Sequence, residues 1–341
     1  MKAATDGPHI FYEGNTILVK SIAGRQGKPV AAVQSFPLEE KDRITVHCTF
    51  PEHPEWNFST PLQPVLQPQP SVYPAAGQLL AISDIEGNFN ALRDLLLANG
   101  VIDPHYRWTF GNGRLVLTGD CMDRGPHVTE CLWLFYSLEI KAREQGGYVH
   151  FILGNHEIMN MTDDLRYVPE KYLANARLLQ HDYTHWYKPH TELGRWLATK
   201  NIIEKIGTVL FVHGGISSEV NALQLSIPDI NELCRHWYFV GMPPRHPALY
   251  LLMYSPASPF WYRGYALGQA TLQEVNDTLH RFGVQHIVIG HTTVNKLTSF
   301  FEGRVIDVDT LHAEGISEGV LFENGAIFRV DKQGRRDLLT G

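Results

Sequence analysis

Residues 8–49 alternate apolar and polar positions and are rich in β-branched side chains, in the stretches HIFYEGNTILVK, PVAAVQSF and RITVHCTF. With Glu13-Gly14-Asn15 and the glycine-containing segment 24–27 as turns, a period of two predicts a small antiparallel β unit, read as a packing appendage without chemistry of its own. Prolines 61, 64, 68, 70 and 74 follow. They fix φ and remove backbone donors, which predicts an extended connector and a boundary near residue 76. Beyond it the texture changes. Short buried runs at 78–82, 114–117 and 148–153 read as strands, separated by a helix over 88–97 and by one carrying Val128, Cys131, Leu132, Phe135 and Leu138 on a single face. This β-α-β-α-β order predicts a parallel sheet whose sites lie just beyond the carboxyl ends of its strands. Further strands are expected at 209–212, 286–289, 304–308, 319–322 and 326–330. The expected organisation is a β-rich unit over 1–60, a proline-rich connector over 61–76 and a main domain over 77–332.

Composition narrows the function classes. The chain has 341 residues, long enough for one large domain with an appendage. Lys and Arg number 29 against 36 Asp and Glu, a net charge of −7. That is the wrong sign for a protein whose affinity rests on neutralising nucleic-acid phosphates. No apolar run approaches the roughly 18 residues of a membrane span. The four cysteines, Cys48, Cys121, Cys131 and Cys234, form no CxxC pair, so reduced thiols are expected. A cysteine-dependent phosphatase would need Arg six positions after its nucleophile. Those positions hold Pro54, His127, Ser137 and Val240.

Five loops at expected strand ends carry the unusual residues: Ser83-Asp84-Ile85-Glu86-Gly87, Gly119-Asp120-Cys121-Met122-Asp123-Arg124-Gly125, Gly154-Asn155-His156-Glu157, His213-Gly214-Gly215 and Gly290-His291. Each sets Asp, Asn, Glu or His after a stiff apolar strand, with Gly beside it so that backbone and side chains can crowd one point. Carboxylate, amide and imidazole together suit two borderline or hard divalent metals rather than a thiolate zinc site. Singly, each loop is an ordinary turn or helix cap. Jointly, GDxxDRG and GNHE amount to a coincidence on the order of one in 10^12 per placement. Such a set matches the demands of phosphate-ester hydrolysis, where a catalyst supplies on the order of 20 kcal/mol. Two metals bind the phosphoryl oxygens and generate a hydroxide nucleophile, guanidinium groups hold the remaining oxygens, and an imidazolium protonates the leaving alkoxide.

GDCMDRG, GNHE, HGG and GH, in that order over roughly residues 78–310, resemble the calcineurin-like metallophosphoesterases of the PPP phosphatase superfamily. GDxxDRGP, IGHTTV and WYRG at 261–264 look most like the bacterial Shewanella-like phosphatases. The resemblance implies an α/β (α+β) fold, a β-sandwich of two mixed sheets flanked by helices, with the small antiparallel β unit added at the N-terminus. It implies a metal-dependent phosphomonoesterase acting on phosphoproteins, phosphotyrosine preferred, and on aryl phosphates, without a phosphoenzyme intermediate. The cofactors would be two divalent ions, Mn, Zn or Fe. Asp84 would bind the first metal and Asp120 would bridge. Asn155, His213 and His291 would hold the second, with Asn155 also touching the substrate. His156 would be the general acid, oriented by Asp123, and Arg124 and Arg263 would clamp the phosphate.

One position departs from the family pattern. Where DxHG is usual, the chain has Asp84-Ile85-Glu86-Gly87. Glu86 either coordinates the first metal through oxygen, favouring a harder ion such as Mn²⁺ or Mg²⁺, or points away and leaves that metal weakly held, or marks a site that only binds. Cys121 is expected to pack, and Asp309 either bonds a metal-binding His or caps a strand. Two aromatic stretches are read as core or lid packing, with a slot for an aryl leaving group as the alternative: one from Tyr167 to Trp196, the other holding Tyr254, Phe260, Trp261, Tyr262 and Tyr265. The segment from about 160 to 195 would cap the site. A dinucleoside polyphosphate or nucleotide hydrolase of the same fold, and a non-catalytic phosphate-binding protein, are the rival readings. The expected partner is a phosphorylated protein or aryl phosphate, with neither nucleic acid nor membrane, and a monomer suffices. The opening residues show no apolar signal region, so composition points to the cytoplasm, and to the periplasm if a signal peptide has been removed.

Overall fold

The structure, a computed structural model, describes residues 4–25, 28–242 and 245–340. In chain order its strands are β1 (Asp6–Glu13), β2 (Thr16–Arg25), β3 (Lys28–Pro37), β4 (Thr45–Cys48), β5 (Phe58–Pro61), β6 (Val72–Tyr73), β7 (Gln78–Ile82), β8 (Arg114–Leu117), β9 (Tyr148–Phe151), β10 (Ile203–Ile206), β11 (Val209–Val212), β12 (His286–Ile289), β13 (Thr298–Phe300), β14 (Val305–Asp307), β15 (Glu318–Glu323), β16 (Ala326–Asp331) and β17 (Arg336–Thr340). The helices are α1 (Phe89–Ala98), α2 (Val128–Glu144), α3 (Asn155–Met161), α4 (Glu170–Leu178), α5 (Glu192–Leu197), α6 (Ser218–Ala222), α7 (Ile227–Arg235), α8 (Pro247–Met253) and α9 (Leu272–Phe282).

Strands β7, β8 and β9 run parallel, as their order along the chain predicts. Antiparallel β15, β16 and β17 extend that sheet from the far side of β7, giving β17-β16-β15-β7-β8-β9. A second mixed sheet has the order β13-β14-β12-β11-β10-β6. The two sheets share an apolar layer in which Leu79, Ala81 and Val116 of one meet Val209, Phe211 and Val288 of the other. Alternate residues of the same strand, Leu80 and Ile82, face the helix side with Phe89, Leu92 and Leu132. Gln78–Ile82 reads as an unbroken apolar run because both of its faces are covered.

The N-terminal sheet, β1-β2-β3, is antiparallel as expected. Ile10, Phe11, Ile17 and Ile22 belong to the same buried cluster as Trp133, Tyr136 and Trp196 of the main body, and the Trp133 indole N–H donates to the Pro8 carbonyl at 2.8 Å.

Three expectations need correction. The RITVHCTF stretch does not join this sheet. Its residues 45–48 pair instead with Phe58–Pro61 in a separate two-stranded ribbon. Val46 and Cys48, on one face, are buried while Thr45 and His47 are exposed, so the same period of two serves a different partner. The proline stretch is not wholly a connector. Val72–Tyr73, between Pro70 and Pro74, forms an edge strand beside β10, the place in a sheet that tolerates missing donors. Strands β10, β13 and β17 carried no sequence signal that distinguished them, being short or polar. Among the described residues no helix is long and apolar enough to cross a membrane.

Candidate active site

The five loops leave the carboxyl ends of β7, β8 and β9 in one sheet and of β11 and β12 in the other. The site therefore straddles the top of the sandwich. Its backbone is held out of relaxed geometry. Of thirteen non-glycine residues with positive φ among those described, six are Asp84, Glu86, Asp120, Asp123, Arg124 and His291. Each such conformation costs roughly 1 kcal/mol or more and persists only where the surroundings dictate it. Glycine makes the crowding feasible. A Cβ at Gly154 would run into the Asp120 carboxylate, and one at Gly290 into Ser83 and Asp84.

A single side chain fixes the GDxxD loop. The buried Glu157 carboxylate accepts the amides of Asp120 (2.9 Å), Cys121 (2.8 Å), Met122 (3.1 Å) and Gly154 (2.8 Å). Burial and the Asp120 charge push its pKa up to about 7 against the pull of those amides. With Glu157 as support, Asp120 Oδ1 accepts the His156 amide at 2.9 Å and Oδ2 lies 3.0 Å from His213 Nε2. His213 Nδ1 meets the Thr118 carbonyl at 2.7 Å, and Nε2 is also 3.0 Å from Asn155 Oδ1.

The structure gathers all ten residues singled out from the sequence. The potential ligand atoms of Asp120, His213 and His291 lie within 4.8 Å of one another, and so do those of Glu86, Asp120 and His156. Asp120 belongs to both sets, the position expected of a bridging carboxylate. Asp84 is in neither triad: its Oδ2 accepts the His291 amide at 3.1 Å. Glu86 forms an ion pair with Arg124. Arg263 donates to the His291 carbonyl at 2.6 Å and to Thr292 Oγ1 at 3.3 Å.

Electrostatics in the protein alone show what such a cluster lacks. Burial raises Asp84 to about 6, with the Asp120 charge adding to the effect. Burial opposes the charge on Asp120 too, but His213 and His156 hold its pKa well below the ordinary range. Burial also disfavours a charged His213, yet the Asp120 contact carries it to about 10. His291, buried and facing His213, is held neutral. Its Nε2 has no hydrogen-bond partner among the described residues. A neutral imidazole lone pair beside the shared Asp120 carboxylate fits a divalent cation.

His156 has a different job. Asp123 Oδ2 accepts from its Nδ1 at 2.6 Å, fixing the tautomer and leaving Nε2 free of that contact. Burial lowers its pKa, but Asp120 and Asp123 outweigh burial and the net shift is upward. Behind Asp123, Asn160 Nδ2 donates to Oδ1 at 2.9 Å, and the Tyr183 hydroxyl donates to Asn160 Oδ1 at 2.7 Å. Sequence reasoning missed Glu157, Asn160 and Tyr183 as supports. Glu157 stood in the GNHE motif without a role, and Asn160 left a trace four residues after His156 and hence on the same helical face.

The aromatic stretches divide as their burial dictates. Tyr172, Tyr183, Trp186, Tyr187, Trp196, Phe260 and Tyr265 are core. Tyr254 and Trp261, with Asn155, Met159, Arg166 and Arg263, line an open cleft of about 580 Å³ beside the site. Tyr167 is 42% exposed and its ring centre lies 5.0 Å from that of His156. Cys121 is buried packing. Asp309 bonds Thr293 Oγ1 at 3.1 Å, and its amide donates to Asp307 Oδ1 at 3.0 Å, so the strand-end reading holds.

Strand-end carboxylates and imidazoles that straddle two mixed sheets define a metallophosphoesterase. The family model of the calcineurin-like phosphoesterases matches residues 77–295, and the chain belongs to that family. An uncharacterised protein of Schizosaccharomyces pombe is 33% identical over 247 residues, 67% of this chain and 71% of its own length. Shewanella-like protein phosphatase 2 of Arabidopsis thaliana is 24% identical over 296 residues, 71% of this chain and 73% of its own. The crystal structure of the cold-active protein-tyrosine phosphatase of a psychrophilic Shewanella species superposes with a TM-score of 0.89 at 34% identity, over 99% of this chain and 100% of that one. The protein is a phosphatase of a family that uses divalent metals.

Proposed function

We propose that the protein is a metal-dependent phosphomonoesterase of phosphoproteins that prefers phosphotyrosine and also accepts aryl phosphates. The observation that carries this reading is Asp120 shared between two ligand-capable triads, with the His156–Asp123 pair alongside. The preference for phosphotyrosine is supported by the similarity to the Shewanella enzyme. The catalytic unit in this proposal is 77–332, behind a β-rich unit over 1–60 and a connector over 61–76.

Asp120, Asn155, His213 and His291 would hold one divalent ion, and Asp84, Glu86 and Asp120 a second. When bound, the pair supplies positive charge to the phosphoryl oxygens and acidifies a water molecule. The protein's own contribution is arrangement. Arg124 and Arg263, both exposed at the rim, clamp the phosphoryl group. His156, whose proton Asp120 and Asp123 favour against burial, gives that proton from Nε2 to the leaving oxygen. Asn155 orients the substrate.

A nucleotide polyphosphate would need several cations in the cleft. Among the described residues lining it the cations are Arg166 and Arg263, and Arg166 is forked onto Asp164 at 2.7 and 2.8 Å. The test is hydrolysis of p-nitrophenyl phosphate, of matched phosphotyrosine and phosphoserine peptides and of a dinucleoside tetraphosphate. Each is assayed after chelation and after return of Mn²⁺, Zn²⁺ or Fe²⁺. Metal-restored turnover that favours the phosphotyrosine peptide is expected. Turnover unaffected by chelation, or by Asp120→Asn together with His156→Asn, would overturn these roles.

A further inference from the structure

We propose that Tyr167 selects aryl over alkyl phosphates by forming the rim against which the ring of the leaving group packs. The inference rests on the phosphatase reading and names the residue that would set its substrate class.

Tyr167 lies between α3 and α4 and, unlike most tyrosines of the same stretch, is 42% exposed. Its ring is nevertheless held. The Arg124 guanidinium sits 5.3 Å from its centre and that of Arg166 5.8 Å, distances at which a cation is attracted to an aromatic face. Its carbonyl accepts the Arg124 amide at 3.3 Å. The ring therefore lies against both Arg124 of the proposed clamp and the proposed general acid, tilted 50° to His156.

Position and depth together imply selection. With Nδ1 of His156 occupied by Asp123, the proton leaves from Nε2. The oxygen receiving it comes within about 3 Å of that atom. Whatever that oxygen carries sits beside His156, where Tyr167 is the exposed aromatic surface. His156 and Asp120 are only 3% and 2% exposed, so the reacting phosphorus lies below the rim. A phosphotyrosine bridges that depth with its own ring, which then meets Tyr167 edge-on or offset. A phosphoserine has one methylene between oxygen and Cα. Its backbone would have to descend to the level of Tyr167, with no apolar surface to offer in return.

The test compares kcat/KM for a phosphotyrosine peptide and a phosphoserine peptide of otherwise identical sequence, in the metal-loaded wild type and in Tyr167→Ala, Tyr167→Leu and Tyr167→Phe. Phenyl phosphate and glycerol 2-phosphate serve as the small-molecule pair. For Tyr167→Ala and Tyr167→Leu we expect a roughly tenfold loss on the aryl substrates, mostly in KM, and less than a twofold change on the alkyl ones. Tyr167→Phe keeps the wild-type ratio. Parallel losses on both substrate classes, or an unchanged ratio in Tyr167→Ala at wild-type thermal stability, would overturn the proposal, leaving Tyr167 as a support for Arg124 alone. A wild-type ratio near one would instead sink the phosphotyrosine reading itself, and the wild-type measurement alone tells these failures apart.

Discussion

Two of the regions in which this molecule buries charge handle it in opposite ways. Beneath the N-terminal sheet, the Glu139 carboxylate accepts from Gln63 Nε2 (3.1 Å), the Trp196 indole (2.9 Å) and Lys200, its ion-pair partner. Close by, Glu192 accepts from the Tyr136 hydroxyl (2.7 Å) and from Tyr12, with Lys41 at 3.4 Å. Neither glutamate lacks a partner among the described residues. At the strand ends the same degree of burial holds Asp84, Asp120, His213 and His291, yet His291 Nε2 is unpartnered and the carboxylates compete for one imidazolium. Burial alone does not mark the functional site. Between these two regions the difference lies in whether protein atoms complete the valences.

The sharpest way to break this contrast is to remove one carboxylate charge from each region. Asp120→Asn is expected to lower kcat/KM roughly 10^3-fold or more if Asp120 is the shared ligand proposed above. The chelated protein should lose some stability too, because Asp120 is the counter-charge of the buried His213, but less than at Glu139, since an imidazole gives up its unpaired proton at a far lower pH than an ammonium does. Glu139→Gln should shift the weight to stability. It leaves Lys200 as an uncompensated buried cation and costs about 3 kcal/mol of stability, while activity per folded molecule stays within about twofold. Urea unfolding and initial rates on both variants decide the matter. Unfolding of Asp120→Asn, or inactivation without destabilisation in Glu139→Gln, would erase the distinction between the regions.

His156 gives the next largest effect. Replacing it with Asn should lower kcat by about 10^2 to 10^4 on phosphopeptides. The loss should be much smaller on p-nitrophenyl phosphate, whose leaving group departs without help from a proton. The pH profile carries a sign. Asp120 and Asp123 outweigh burial and raise the His156 pKa, so the acid is competent below that raised value. Activity on phosphopeptides should fall as pH rises through it, and this fall should vanish in His156→Asn. A descending limb that survives the substitution would assign the proton to another group.

Metal-free protein should respond to pH in a way the satisfied region does not. Burial raises Asp84 to about 6, Asp307 to about 8 and Asp309 to about 9. Each binds its proton more tightly folded than unfolded. Their contribution to stability is therefore complete at acid pH and is lost as pH rises through about 6 to 9. The Tm of chelated protein should drop by roughly 5 °C or more between pH 5 and pH 9. A divalent cation should restore more of it at pH 9 than at pH 5, because it competes with the proton for the Asp84 oxygens. Scanning calorimetry with and without Mn²⁺ measures both slopes.

How much of this was legible beforehand depended on whether the signal was local. The five loops were, because each couples an apolar strand to a Gly-flanked polar residue within a few positions. Strands β7, β8 and β9 were legible because both faces are covered and the sequence runs apolar. The pairing of 45–48 with 58–61 was not, since a period of two reports a face and not a partner. Nor was β10: Glu204 interrupts its apolar run because it serves His150 Nδ1 at 2.6 Å, a contact 54 residues away. Glu157 was visible as part of GNHE, but its grip on four amides depends on two loops meeting in space. Tyr167 and Tyr183 looked alike in one aromatic stretch, and only folding sends the first to the rim and the second to the core.

Tyr183 also supplies the smallest and most discriminating test, because it is a fully satisfied core residue linked to the catalytic pair. Its hydroxyl donates to Asn160, whose amide in turn holds the Asp123 oxygen not engaged by His156. Tyr183→Phe removes one hydrogen bond and leaves the Asn160 carbonyl oxygen without that donor, which should cost about 1 kcal/mol of stability. If that chain only steadies the position of Asp123, kcat should fall by less than about threefold with KM unchanged, and the descending pH limb should stay where it is. If Asn160 and Tyr183 also temper the charge that Asp123 presents to His156, the limb should move to higher pH, because the loss of a donor leaves the carboxylate more basic and the imidazolium better held. A shift of that limb, read from kcat on a phosphopeptide between pH 6 and pH 9, would extend the functional region one layer into what packing alone designates as core.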